Sequence, residues 1–186
     1  MYILLIILAV IVLFVISTYN NLIKAKLSAK TAWSTIDVQL QRRFDLIPNF
    51  VETVKGYMGH ESETLTKIAE LRTSWASAGS VKEKADLDTQ LSGALKTIMA
   101  VSENYPELKA NVNFMDLSEE LRNTENKISF ARQFYNQSVQ KFYVSLQTFP
   151  SNIIAGLFGI NSDGLELFEI ENNEVRQNVK VDFGNK

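Results

Sequence analysis

Residues 32–61 read AWSTIDVQLQRRFDLIPNFVETVKGYMGHE, and this stretch decides the fold of the chain. Its large apolar residues recur at intervals of three or four, which places them in one stripe along a helix. The stripe consists of Trp33, Ile36, Leu40, Phe44, Ile47, Val51, Val54 and Met58. This near-heptad spacing suits packing against other long helices. Because the stripe keeps its phase across Pro48, we expect a kink there and a helix end at Gly59.

The chain begins with about 19 uncharged and mostly aliphatic residues, enough to cross ~30 Å of hydrocarbon as a helix. Tyr2 and Tyr19 lie near the two ends of this run, where aromatic side chains favour the membrane interface. A cleaved signal peptide is the competing interpretation, but no basic residue precedes the run and no convincing small-residue cleavage site follows it. We therefore expect residues 1–21 to form an uncleaved transmembrane anchor.

Basic residues follow the anchor directly, at Lys24, Lys26 and Lys30, whereas no charged side chain precedes it. Lys and Arg next to a membrane helix favour the cytoplasmic side, so we expect the N-terminus outside and the bulk of the chain in the cytoplasm. Nucleic-acid binding usually needs a concentrated basic face, and membrane topology explains this distribution better. We therefore expect a membrane contact and no nucleic-acid partner.

Three further stretches have helical character and predict an all-α fold. Residues 61–78 and 81–105 carry apolar residues on one face, and a capping-box pattern at Ser80–Glu83 starts the second of them. The last long helix is expected to run to Phe149, before Pro150. Similar lengths predict a long antiparallel up-and-down bundle over residues 22–150. Two arrangements fit: three long rods with the second broken near Gly79, or four helices with a turn-around there.

Residues 151–186 differ in character from the bundle. The segment SNIIAGLFGI (151–160) is apolar, and we expect it either to cap the open end of the bundle or to be an interfacial or partner-binding helix. The tail that follows is acidic. Its end, VKVDF (179–183), alternates like a strand without a partner and is expected to be mobile.

Two residue types that many enzymes and metal sites use are scarce in this sequence, since cysteine is absent and histidine occurs once. With no cysteine, disulfides and thiolate chemistry are excluded. His60 is the single histidine, which is too few for a carboxylate–histidine metal bundle and makes a Ser–His relay improbable. No glycine-rich phosphate loop of known spacing occurs. We expect no catalytic residue, no cofactor and no metal, and hence no enzyme.

Polar residues beside the apolar stripe and on the last helix form a candidate interaction cluster. On antiparallel neighbours some of them would meet, either as structural Asp–Arg pairs that fix the helix register or as a polar groove that binds a partner. A catalytic carboxylate pair is not expected, because Asp37 and Asp45 lie about 12 Å apart along the axis, too far to share a proton. The cluster consists of Asp37, Arg42, Arg43, Asp45, Asn49, Arg132, Tyr135 and Asn136.

Several blocks of the sequence resemble the bacterial LemA family over roughly residues 1–160. They are YNNLIKAK, the stretch quoted at the start, ENYPELKANVNFMDLSEEL, ISFARQFYNQSVQKFY and FPSNIIAGLFG. The resemblance implies a membrane-anchored four-helix up-and-down bundle in a bacterial inner membrane, without an established enzymatic activity or cofactor. The chain departs from the family pattern where FGI, in place of FGF, leads into a longer tail.

Three hypotheses about function follow from these observations. The first is a single-pass membrane-anchored scaffold that binds a protein partner, whose identity the sequence leaves open. The second is a ligand-binding or enzymatic bundle that uses Asp37, Arg43, Asp45 and Arg132. The third is membrane remodelling through residues 151–160.

Overall fold

The computed structural model describes residues 1–58 and 62–168, and the regular secondary structure within these ranges is entirely helical. This confirms the predicted all-α class. The helices are α1 (Tyr2–Lys55), α2 (Ser62–Ser77), α3 (Val81–Ser102), α4 (Pro106–Lys109), α5 (Val112–Gln147) and α6 (Ser151–Leu157).

Helix α1 is the spine of the molecule, with 54 residues and a length of about 81 Å. It continues through Pro48, as the uninterrupted apolar stripe predicts. The helix ends at Lys55, four residues before the predicted end, because Gly56 closes the last turn with a backbone hydrogen bond to Val54. Gly59 and His60 lie outside the described residues.

The two halves of α1 have different surroundings. From Met1 to Phe14 every residue is exposed, although nearly all are apolar. Within the described residues α1 is the one helix long and apolar enough to cross a membrane, and none of its most apolar part is buried in the protein. From Leu22 onward, in contrast, α1 supplies the core. Six residues of the stripe are buried, and Trp33 and Val51 are partly buried against them.

Helix α2 packs antiparallel to α1. Trp75, near the end of α2, stacks on Phe44 with 4.5 Å between ring centroids. Its indole N–H also donates a hydrogen bond of 3.2 Å to Gln41 Oε1. Since α2 begins just beyond the end of α1, the chain reverses direction between them.

The chain reverses a second time at residues 78–80. Lys84 pairs with Asp37, and Asp88, one turn later, pairs with Arg43 farther along α1. Helix α3 therefore runs in the same direction as α1 and opposite to α2. A rod that continued through residue 79 would instead carry Asp88 towards the anchor. The four-helix arrangement is thus confirmed, and the three-rod arrangement is wrong.

The predicted capping box at the start of α3 is present. The Ser80 hydroxyl accepts a hydrogen bond from Glu83 N, and the Glu83 carboxylate accepts from Ser80 N, each at 3.1 Å. Hydrogen bonds from the backbone N–H groups of Gly79 and Ser80 lower the pKa of Glu83. The local sequence therefore fixes the start of α3 at the turn.

Helix α5 lies along α1 over most of the bundle and runs antiparallel to it. At the end far from the anchor, Phe114 stacks on Phe50 with 5.9 Å between ring centroids. Near the anchor, Tyr135 packs against Trp33 at 5.6 Å. The two long helices thus enclose the central part of the core.

After α5 the chain folds back twice near the anchor. Helix α6 buries Ile154 and Ala155 against Leu22, which agrees with the expectation that it caps the bundle. The chain then returns along α5, and Leu165 and Phe168 are buried in the main core. The first part of the acidic tail is therefore packed on the bundle. The VKVDF segment lies outside the described residues.

Candidate functional site

The structure distributes the eight predicted cluster residues over three places. Those on the outer side of α1 are exposed or partly exposed. Arg42, with a half-exposed side chain, pairs with Glu120 on α5. Asp45 accepts a hydrogen bond of 2.8 Å from Gln41 on the same helix, and Asn49 is exposed. These contacts are those of a solvated helix surface.

Asp37 belongs to a separate contact between α1, α2 and α3. Its carboxylate pairs with Lys84, whose ammonium group lies 4.9 Å from the centroid of the Trp75 ring and 5.9 Å from that of Trp33. A cation held by a carboxylate and two aromatic rings is satisfied on all sides. Asp37 therefore joins α1 to α3 through Lys84, in a contact separate from those of Asp45 and Arg43.

Arg43 is the cluster residue with the most unusual environment. Its side chain is 1% exposed, and Nη1 donates a 2.6 Å hydrogen bond to Asp88 Oδ1. Nη2 lies 3.5 Å from Glu125 Oε2, whereas Nε has no hydrogen-bond partner within the described part of the chain. Burial raises the pKa of Asp88, and Arg43 opposes this rise. The buried Arg43–Asp88 pair thus links α1 to α3, and the half-exposed Glu125 adds a contact with α5.

This ion pair lies beside a groove of about 1000 Å³ between α3 and α5. Residues 88–102 of α3 and residues 114–132 of α5 form its two walls. Its apolar lining consists of Leu95, Met99, Phe114, Met115 and Leu121. Its polar and charged lining consists of Arg43, Asp88, Thr89, Ser92, Lys96, Ser102, Glu103, Lys109, Ser118, Glu119, Arg122, Glu125 and Arg132.

The charges on the rim of the groove have both signs. Lys109 pairs with Glu103, and Arg122 pairs with Glu119. Lys96 makes no ion pair with any residue that the structure describes. The groove thus combines an apolar lining with a rim that carries charges of both signs.

The remaining cluster residues, on α5, hold the returning tail. The Tyr135 hydroxyl donates a hydrogen bond of 2.5 Å to the carbonyl of Glu166. The Asn136 side chain donates to Phe168 O at 3.0 Å and accepts from Phe168 N at 2.9 Å. The Arg132 guanidinium lies 5.1 Å from the centroid of the Phe168 ring. Tyr135 and Asn136 are therefore structural, and Arg132 also lines the groove.

The Tyr135 contact predicts a loss of stability in strong alkali. Burial raises the pKa of Tyr135 from 10.0 to about 12, so the folded protein retains a proton that the unfolded chain loses. The stabilising contribution of this proton is complete below pH 10 and is lost progressively as the pH rises through about 12. Chemical unfolding between pH 9 and 12 measures this slope, and we expect Tyr135→Phe to reduce it. Tyr57→Phe, a partly exposed control at the other end of the bundle, should retain it.

The geometry argues against an enzymatic site built from the predicted quartet. Asp37 pairs with Lys84, Asp45 accepts from Gln41 and Arg43 pairs with Asp88, so each of the three is held in a contact of its own. Among the described residues no group of three or more His, Cys, Asp or Glu side chains could hold a metal ion. What the arrangement can do is bind a segment or a ligand along the groove.

Sequence reasoning missed Asp88 and Glu125, the two partners of Arg43. The signal was present for Asp88, which lies three residues after Ala85 and three before Leu91, both buried on the same face of α3. A charged residue in an apolar stripe indicates a buried pair. Glu125 carries no such signal, because its side chain is half exposed.

Comparison with known proteins gives a consistent result. The sequence pattern of the LemA family matches residues 32–183. Protein LemA of Metamycoplasma hominis is 24% identical over 164 residues, which cover 84% of this chain and 75% of that protein. Magnetosome proteins MamQ 2 and MamQ 1 of Paramagnetospirillum magneticum are each 21% identical over 167 residues. Those alignments cover 76% of this chain and 61% of each relative, so the chain spans less than two thirds of their length. With most of its length matched by the family pattern, the chain belongs to the LemA family.

Proposed function

We propose that this protein is a single-pass scaffold of a bacterial inner membrane, with its helical bundle in the cytoplasm and no catalytic activity of its own. The unbroken α1 supports this proposal, because its exposed apolar half continues directly into the core of the bundle. A surface so apolar is costly in water and is stabilised in hydrocarbon. The bundle is thus attached to the anchor through one helix.

The orientation can be tested with reporters fused after Lys186. The basic residues Lys24, Lys26 and Lys30 favour a cytoplasmic bundle, so a reporter that is active only in the cytoplasm should give the signal. A signal from an exported reporter would contradict the proposed orientation. Replacing these three lysines by glutamine should weaken the preference for a cytoplasmic bundle. The same change at Lys96, Lys109 and Lys127, far from the anchor in sequence, should leave it intact.

The groove between α3 and α5 is the observation that carries the scaffold role. Along α5 it extends from Phe114 to Arg132, about 27 Å, which matches an 18-residue helix. Amphipathic helices bind in grooves of this kind by placing apolar residues on the lining and charged residues at the rim. We therefore propose that the occupant is an amphipathic helix of a protein partner.

Site-specific photocrosslinking in living cells tests this occupant. A benzophenone amino acid at Met115, a half-exposed position in the groove, should give a defined adduct with one protein. The same group at Val38, an exposed apolar position on α1 outside the groove, is the matched control. We expect the Met115 adduct to disappear in a Lys96→Glu, Arg122→Glu variant that keeps its helical content. Equal adducts at both positions, or none at Met115, would contradict a groove-bound partner.

A ligand-binding bundle is the alternative that one specific observation favours. Arg43 Nε is buried without a hydrogen-bond partner among the residues that the structure describes, and Arg43 and Arg132 both line the groove. An anionic small molecule could pair with these guanidinium groups. A panel of anionic metabolites should then raise the unfolding temperature of the protein but not that of Arg132→Gln. Unchanged unfolding temperatures across the panel would remove this alternative.

A further inference from the structure

Helix α6 lies beside the last turns of the apolar half of α1. Ile154 and Ala155 pack against Leu22, and Val15 and Tyr19 contact the same cluster. The ring of Phe158 lies 4.9 Å from that of Tyr19, measured between centroids. Val15 and Tyr19 belong to the run expected to cross the membrane. The contacts therefore place α6 at the depth where the anchor leaves the bilayer.

Four large apolar side chains in α6 and directly beside it are exposed. Phe149 is 79% exposed, Leu157 77%, Ile153 61% and Phe158 51%. No charged residue occurs between Lys141 and Asp163, so no charged side chain in this segment opposes contact with lipid. Four large apolar side chains exposed together at the end of a bundle are unusual for a surface that faces water.

We propose that this exposed apolar surface, formed by Ile153 and Leu157 of α6 and the flanking Phe149 and Phe158, is seated in the interfacial region of the bilayer that holds α1. The inference rests on the proposed anchor, because α6 takes its depth from its contacts with that helix. Short apolar segments with aromatic residues bind at the boundary between headgroups and acyl chains. The protein would then contact the membrane at two places, the anchor and α6.

The surroundings favour lipid over a protein as the partner of this face. The exposed apolar surface is continuous with the anchor through the Tyr19–Phe158 contact. A bilayer that surrounds the anchor would therefore also reach this surface. Lys24 and Lys30 are exposed on the next turns of α1, where lysine side chains reach the headgroups. An aromatic and aliphatic face followed by basic residues is the order expected at a membrane boundary.

Spin labelling of the full-length chain tests the proposal, and the absence of cysteine means that each substitution carries the only label. Leu157→Cys and Ile153→Cys, both at exposed positions, report on α6. Val112→Cys, 62% exposed at the far end of the bundle, is the matched control, and Leu8→Cys reports on the anchor itself. The labelled proteins are placed in vesicles of phosphatidylethanolamine and phosphatidylglycerol. Collision rates with oxygen, which concentrates in hydrocarbon, and with a water-soluble nickel chelate then give the depth of each label.

We expect the labels at Leu157 and Ile153 to favour oxygen over nickel, with depths between those of Leu8 and Val112. If both α6 labels match Val112 while Leu8 is deep, the seating of α6 is wrong and the anchor stands. If the label at Leu8 also collides more with nickel than with oxygen, the proposed anchor is wrong. The proposed seating of α6 then has no support. Labelling two positions on α6 guards against local misfolding at either one.

Discussion

Replacing Arg43 by methionine is expected to lower the free energy of unfolding by about 3–5 kcal/mol, because it leaves the Asp88 carboxylate buried without its partner. The loss should shrink as the pH falls. Burial raises the pKa of Asp88, so the folded state takes up a proton before the unfolded state does, and protonation removes the unpaired charge. Urea unfolding of the full-length protein in detergent, followed by circular dichroism at pH 5 and pH 8, measures both effects.

Two further variants separate the buried pair from general charge effects. Arg42→Met removes an arginine that is 52% exposed and pairs at the surface, so we expect a loss within about 1 kcal/mol. The double variant Arg43→Met, Asp88→Leu replaces both charges by apolar groups and should recover most of the stability. If Arg43→Met costs no more than Arg42→Met, the pair contributes nothing beyond a surface contact.

Phe168→Ala is expected to cost about 3–5 kcal/mol, although residue 168 lies in a segment without regular secondary structure. The side chain is 2% exposed and packs against Trp33 and Arg132, with 6.2 Å between the two aromatic ring centroids. Removing the ring leaves a cavity between α1 and α5.

Leu167→Ala is the matched control for this prediction. Leu167 precedes Phe168 directly but is 38% exposed, so its truncation should change stability much less. Unfolding in urea, measured by the fluorescence of Trp33 and Trp75, compares the two variants. Equal losses would mean that the returning segment does not contribute through the buried ring.

The sequence was most informative about features that depend on the residues of a single helix. The stripe from Trp33 to Met58 predicted which side of α1 is in the core, and its continuity predicted that the helix passes through Pro48. The capping box at Ser80 was equally readable, since its two hydrogen bonds join residues three apart. Local periodicity and local caps are encoded within one or two turns of helix.

What the sequence could not decide depends on how separate helices meet. Gly79 permits both a break and a reversal, and the choice follows from the pairing of Asp88 with Arg43, residues 45 positions apart. The predicted interaction cluster contains residues of α1 and α5 only. The groove was therefore not predicted, because α3 forms one of its two walls. The tail was assigned by its charge, whereas Leu165 and Phe168, two apolar residues in an acidic stretch, pack in the core.

The continuity of α1 has a mechanical consequence. No break separates the exposed apolar half from the core half, so the bundle has no hinge with which to turn independently of its anchor. From Leu22 to Lys55 the core half forms a stiff arm of about 50 Å, and a tilt of about 20° swings its far end sideways by about 17 Å. A change in bilayer thickness that alters the tilt of the anchor would therefore move the distal end of the bundle sideways.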